Sequence, residues 1–80
     1  SDNFGMVTIR LPIGNEEASK MSLANWIVGE ARVPEVAIGE IEIGDNASMV
    51  EIHVKKASYV IDVLKSRKFN GKSLKPEIIN

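Results

Sequence analysis

Residues 53–80 carry seven basic side chains, Lys55, Lys56, Lys65, Arg67, Lys68, Lys72 and Lys75, against two acidic ones, a net charge of +5. Residues 1–52 carry three basic and nine acidic side chains, a net charge of −6. The formal charge of −1 for the whole chain hides this asymmetry. A cluster of ammonium and guanidinium groups suits polyanion binding, because each phosphate it neutralises releases condensed counterions. The same composition also describes an ordinary solvated helix face, and on composition alone the two readings stand level. Arg10 is a separate candidate: a guanidinium in mid-strand is suited to clamping a phosphate or stacking on a base, or else to pairing across strands with Glu51.

Other chemistries find less support. His53 has no histidine, cysteine or clustered carboxylates near it in sequence, so it is discounted as a metal ligand or general base. The chain has no cysteine, which removes disulfides, thiolate metal sites and thiol nucleophiles. Glu16, Glu17, Glu40 and Glu42 are scattered and form no acid/base pair. No catalytic residue, metal or cofactor is therefore expected. The G-x-x-x-x-G-K-[ST] phosphate loop is absent, which places any ATPase of a parent protein outside these residues.

Strands and helices must position the basic groups, and hydropathy patterning predicts their order. Val7, Ile9 and Leu11 alternate with polar neighbours, the period of a strand with one buried face, and Pro12 and Gly14 end it. Ser22 is the predicted N-cap of a helix in which Leu23, Ile27 and Ala31 recur at four-residue spacing. Ile41 and Ile43 mark a second strand, and Gly44-Asp45-Asn46 a tight turn. Val50, Ile52 and Val54 then mark a third strand that closes a hairpin.

Val60, Ile61 and Leu64 predict a helix over 57–67, stopped by Asn70-Gly71. A last strand over 73–78 is restricted to a sheet edge by Pro76, which lacks a backbone N–H. Trp26 and Tyr59 flank apolar stripes and are expected at the core or its margin.

The order βαββαβ implies an α+β fold with a four-stranded antiparallel sheet, strand order 4-1-3-2, two helices on one face and the other face open. Strand parity puts Thr8, Arg10, Met49 and Glu51 near the middle of the open face, Glu40 and Glu42 toward one edge and Lys75 toward the other. At 80 residues with 44% apolar and 26% charged side chains, the chain fits one self-folding domain with no room for a second. Residues 6–80 are expected to form it, with 1–5 a ragged start.

The longest apolar runs fall short of the ~20 residues of a bilayer span, and Ser1 to Gly5 has no leader pattern, so the expectation is a cytoplasmic protein without membrane contact. Asn46-Ala47-Ser48 matches the glycosylation pattern and is read as a chance match in a turn.

Ile38-Gly39-Glu40-Ile41-Glu42-Ile43, a short turn and Ser48-Met49-Val50-Glu51-Ile52 resemble the hairpin of the DbpA-type RNA-binding domain, read there as I-G-x-I-x-I followed by S-[FY]-V-E-[VI]. The resemblance extends through Ile9–Gly14, Leu23–Ala31 and Lys68-Phe69-Asn70-Gly71-Lys72-Ser73-Leu74, which is nearly the whole chain. Two positions depart from the pattern. Met49 stands where relatives often have an aromatic residue, and the segment 14–20, commonly basic, contains Glu16 and Glu17. Only Val50 clearly fits the general RNP1 signature.

The resemblance implies an RRM-like fold and a non-catalytic accessory domain at the C-terminus of a bacterial DEAD-box ATP-dependent RNA helicase. Such a domain tethers the helicase core of the same polypeptide to structured RNA, in the best-known members a hairpin of large-subunit ribosomal RNA, and so implies a place in ribosome biogenesis. Thr8, Arg10 and Met49 on the sheet face, with Lys55, Lys56, Lys65, Arg67, Lys68, Lys72 and Lys75, are the expected RNA-binding residues. A sheet without stacking aromatics forgoes ~1–3 kcal/mol per stacked base, so phosphate contacts and shape must carry the affinity. A protein-interaction or dimerisation module is the second expectation, because an acidic edge at Glu40 and Glu42 repels phosphate. An acylphosphatase-like enzyme of the same topology is set aside, because residues 14–19 are acidic where it needs an anion cradle.

Overall fold

The computed structural model describes residues 5–79. Among these residues six short strands and two α-helices follow one another. Strand β1 spans Met6–Leu11 and is followed by helix α1, Lys20–Ala31. A single 3-10 turn at Glu35–Ala37 leads into β2, Ile38–Ile43, which turns back as β3, Ser48–His53. Helix α2, Val54–Lys65, precedes three two-residue strands: β4, Lys68–Phe69, β5, Lys72–Ser73, and β6, Glu77–Ile78.

The main sheet has the order β2-β3-β1-β6 with antiparallel pairing throughout, which is the expected 4-1-3-2 arrangement. Period-two alternation sorts its two faces. Ile9 and Leu11 of β1 and Val50 and Ile52 of β3 are completely buried, and they join Leu23, Ile27 and Ala31 of α1 and Ala57, Val60, Ile61 and Leu64 of α2 in one core. Burial of these side chains is the main source of stability, at ~1.5–3 kcal/mol for each large one. Ser48 and Glu51 are the buried polar side chains among the described residues; the Ser48 hydroxyl donates to the Ile13 carbonyl, so this donor is met.

Three boundaries differ from expectation, each through a local cap or a missing donor. Helix α1 begins under Ser19, not Ser22. The Ser22 amide donates to Ser19 Oγ at 3.0 Å, and the Ser19 amide donates to Ser22 Oγ at 2.9 Å, a reciprocal capping box in which serine replaces the usual Glu or Gln at the third helical position.

Helix α2 starts at Val54, directly after β3, because the His53 imidazole Nδ1 accepts the Lys55 amide at 3.2 Å and caps it. Val54 therefore belongs to the helix and not to the third strand. The expected last strand is split as well: Lys72–Ser73 pairs with Lys68–Phe69, and only Glu77–Ile78 joins β1. Pro76 is the physical reason, since a residue without an N–H interrupts any ladder that would bridge the two.

Residues 1–4 of the expected ragged start lie outside the described residues. Gly5 belongs to the fold: its φ is +79°, and its carbonyl accepts the Val54 amide at 2.7 Å, joining the start of β1 to that of α2. Among the described residues no helix is long and apolar enough to cross a membrane.

Candidate nucleic-acid interface

The site is built from three segments that the fold brings to one end of the sheet. Arg10 comes from β1, where it lies opposite Met49 of β3 on one side and Glu77 of β6 on the other. Lys72 comes from β5, and Lys75 from the two residues that precede β6. Together with Glu77 of β6, the one carboxylate among the lining side chains, they line a recess of about 360 Å³ that is closed on a third side by Asn46 and Ala47 of the β2–β3 turn. All three cations are exposed. Three positive charges against one negative charge leave the concavity net cationic, and their placement on separate segments suits a bent phosphate backbone.

The hairpin that presents Lys72 is shaped by its turn and held by an aromatic contact. Asn70 and Gly71 both have positive φ, +50° and +77°, the requirement of a two-residue turn whose twist suits paired strands. Its Phe69 ring packs edge-on against Trp26 of α1 with centroids 5.0 Å apart and an interplanar angle of 82°, a favoured quadrupole geometry. This aromatic pair holds the strand, and Lys68 and Lys72 remain on its exposed surface. Trp26 is thus at the core margin, as expected, whereas the Tyr59 side chain is half exposed on α2.

The other expected residues divide among several places. Thr8 and Met49 lie half-buried on the open face, with Thr8 paired to Glu51 and not to a cation. Glu51 is buried, and its Oε1 accepts the Glu40 amide at 3.1 Å; Arg10 sits one register step away, opposite Met49. Arg67 bonds Glu30 at the end of α1, Nε to Oε1 2.8 Å, and also donates to Ser66 Oγ, which turns part of its guanidinium to structural use. Lys65 and Lys68 flank it, exposed.

Lys55 and Lys56 begin α2 just beyond His53, which pairs with Met6, so they sit at the opposite end of β1 from the recess. At ~3.4 Å per residue, the five steps from Met6 to Leu11 put roughly 17 Å between these ends. The structure therefore gathers Arg10, Lys72 and Lys75 and leaves Lys55 and Lys56 apart.

An acidic loop borders the recess. The β1–α1 loop is joined to the β2–β3 turn by Asn15 N–H donating to the Gly44 carbonyl at 2.9 Å and by Asn15 Nδ2 donating to Asp45 Oδ1 at 3.3 Å. Glu17 on this loop accepts from Lys72 Nζ at 2.9 Å and from the Gly14 amide at 3.1 Å. The Lys72 hydrogen bond and, after it, the Gly14 amide hold the Glu17 carboxyl below its ordinary pKa.

A lowered folded-state pKa means that this contact stabilises the fold fully above the ordinary carboxylate range. The contribution disappears as pH falls through the lowered value, while Lys72 stays charged throughout. Glu17→Gln removes the competitor for Lys72. Its expected result is RNA affinity raised by roughly two- to fivefold, the scale of one exposed ion pair, together with a shallower loss of stability in acid. Anisotropy titrations and acid unfolding check the two halves.

Asn46, Ala47 and the Asn70–Gly71 turn lie outside the expected set of RNA-binding residues. The last carries a signal, because Asn-Gly between two short polar strands is a hairpin signature as well as a helix stop. Among the described residues no group of three or more His, Asp or Glu side chains comes close enough to hold a metal ion.

A split βαβ sheet with one open face, a basic recess at one end and no stacking aromatic among these lining residues defines an RRM-like domain. The chain belongs to the DbpA RNA binding domain family, whose model matches residues 8–78, and its role is RNA binding. A comparison with curated proteins gave no match.

Proposed function

We propose that this domain anchors a DEAD-box RNA helicase core, carried on the same polypeptide, to structured RNA, with ribosomal RNA as the target and the cytoplasm as the setting. The domain contributes binding and no catalysis, and ATP hydrolysis belongs to the helicase core. The observation that carries this reading is the convergence of Arg10, Lys72 and Lys75 on one recess, in a chain of the DbpA RNA binding domain family. Thr8, Arg10 and Met49 on the open face offer no ring on which to stack a base, so the ligand is held there through its phosphates and its shape. RNA whose backbone is already bent presents several phosphates to the recess without first paying an ordering entropy.

The test is a titration of a ribosomal RNA hairpin and of a single strand of equal composition, between about 50 and 200 mM salt. The hairpin should bind more tightly, with a log–log salt slope of roughly −3 to −5, since each neutralised phosphate contributes about 0.7–0.9. A flat salt response, or a preference for the single strand, would overturn the proposal.

A further inference from the structure

The opposite edge of the sheet has different chemistry. Strand β2 has β3 as its sheet neighbour on one side and, among the described residues, no strand on the other. Alongside it runs a groove of about 590 Å³ between β2 and α1, lined by Met21, Ala24, Ile38 and Ile41, with Lys20 and Asn25 at its α1 rim and Glu35 and Glu40 at its β2 rim, so that carboxylates outnumber cations. Met21 is 75% exposed and Val36, in the adjoining 3-10 turn, 85% exposed, the two most exposed large apolar side chains among the described residues. Glu42 follows on the open face, opposite Met49.

We infer that this edge is a docking site for an extended protein segment of alternating apolar and basic residues, laid along β2. An added strand satisfies the outer ladder groups of β2 and presents its side chains alternately to the two faces of the sheet. Side chains on the helix-bearing face enter the groove against Met21, Ala24 and Ile38, where apolar groups are required. Their neighbours on the other face meet Glu40 and Glu42, where cations are required.

The same carboxylates decide against the two other occupants. RNA phosphates are repelled, and a second copy would bring Glu35, Glu40 and Glu42 against their own kind. The bulge between Ile38 and Ile41 confines the regular ladder to Ile41–Ile43, so the docked register is short and the groove supplies the remaining contact. The domain thus holds RNA at the β1–β6 side and protein at the β2 side, with the sheet between them.

The experiment uses the whole chain, isotope-labelled, and a ten-residue capped peptide alternating Lys with Val and Leu. Amide shifts confined to Met21, Ala24, Val36 and Ile38–Ile43 are expected. The affinity should fall at least about fivefold in Glu40→Lys/Glu42→Lys, and also in Val36→Asp, all of them exposed positions where the fold is preserved. A control peptide with Glu in place of Lys should leave the shifts unchanged.

Shifts centred on other faces, equal binding of a Lys-Ser peptide that has no apolar positions, or no binding would each overturn the inference. So would concentration-dependent dimerisation through β2, seen by sedimentation in the absence of peptide. None of these readouts involves RNA, so failure here is distinct from failure of RNA binding.

Discussion

Reversing Lys68, Lys72 and Lys75 to glutamate together is expected to weaken binding of a structured RNA hairpin by roughly 100-fold or more at about 0.1 M salt. It should also flatten the log–log salt slope by about 2 to 3 units. Each neutralised phosphate contributes about 0.7–0.9 to that slope, so the two recess cations Lys72 and Lys75, with Lys68 exposed on the same hairpin, set its change, and the new carboxylates add repulsion. The loss should be local. Lys55→Glu/Lys56→Glu changes net charge by four units, against six in the triple variant, but sits roughly 17 Å away along β1, beyond the ~8–10 Å over which salt leaves exposed charges coupled.

Its effect should therefore be several-fold, far short of what net charge alone would give. Equal losses from the two variants, scaled only by charge, would show a diffuse field and not a recess. In the triple variant Glu replaces Lys72 beside Glu17, so thermal unfolding accompanies the measurement, and Lys68→Ala/Lys72→Ala/Lys75→Ala supplies a version without that repulsion. The alanine triple should still reduce the slope by about 2 units.

How much of this was legible in the sequence depended on the range of the forces involved. Alternation of Val7, Ile9 and Leu11, and four-residue recurrence of Leu23, Ile27 and Ala31, are local consequences of burying one face, so the main sheet order and both helices followed from pattern. Helix starts did not, because Ser19 and His53 cap through hydrogen bonds that compete with equally plausible local choices such as Ser22.

The recess was half legible. Lys72 and Lys75 were marked by charge and Arg10 by strand parity, but their meeting with Asn46 and Ala47 depends on how the turn between β2 and β3 folds against the end of β1, a contact of long sequence separation. Charge density alone also grouped Lys55 and Lys56 with the others, although α2 starts at the far end of the sheet. The partners of Lys72 and Arg67, Glu17 and Glu30, were beyond any sequence rule, since 55 and 37 residues separate the pairs.

That long-range turn contact yields the largest expected effect on stability. At Gly14 an added methyl group would lie 2.0 Å from the Asp45 carbonyl oxygen, 2.8 Å from its carbon and 3.3 Å from Asn46 Cα, all backbone atoms that no rotamer change can clear. Gly14→Ala must therefore push the β1–α1 loop off the β2–β3 turn, straining the Asn15–Gly44 hydrogen bond. The expected cost is about 3 kcal/mol, the upper part of the range for overpacking. At about 4–8 °C per kcal/mol for a domain of this size, melting falls by roughly 12–24 °C.

Gly29→Ala provides the opposite sign. Gly29 is exposed inside α1, nothing lies within 4 Å of the added carbon, and alanine restricts the unfolded chain more than glycine does. It should raise stability by about 0.4–1 kcal/mol, or roughly 2–8 °C. Differential scanning calorimetry of both variants measures this divergence, and similar melting points would mean that the loop does not pack on the turn. The functional consequence also separates them. Asn46 and Ala47 line the recess immediately after Asp45, so Gly14→Ala should weaken hairpin binding even well below its melting point, and Gly29→Ala should leave it unchanged.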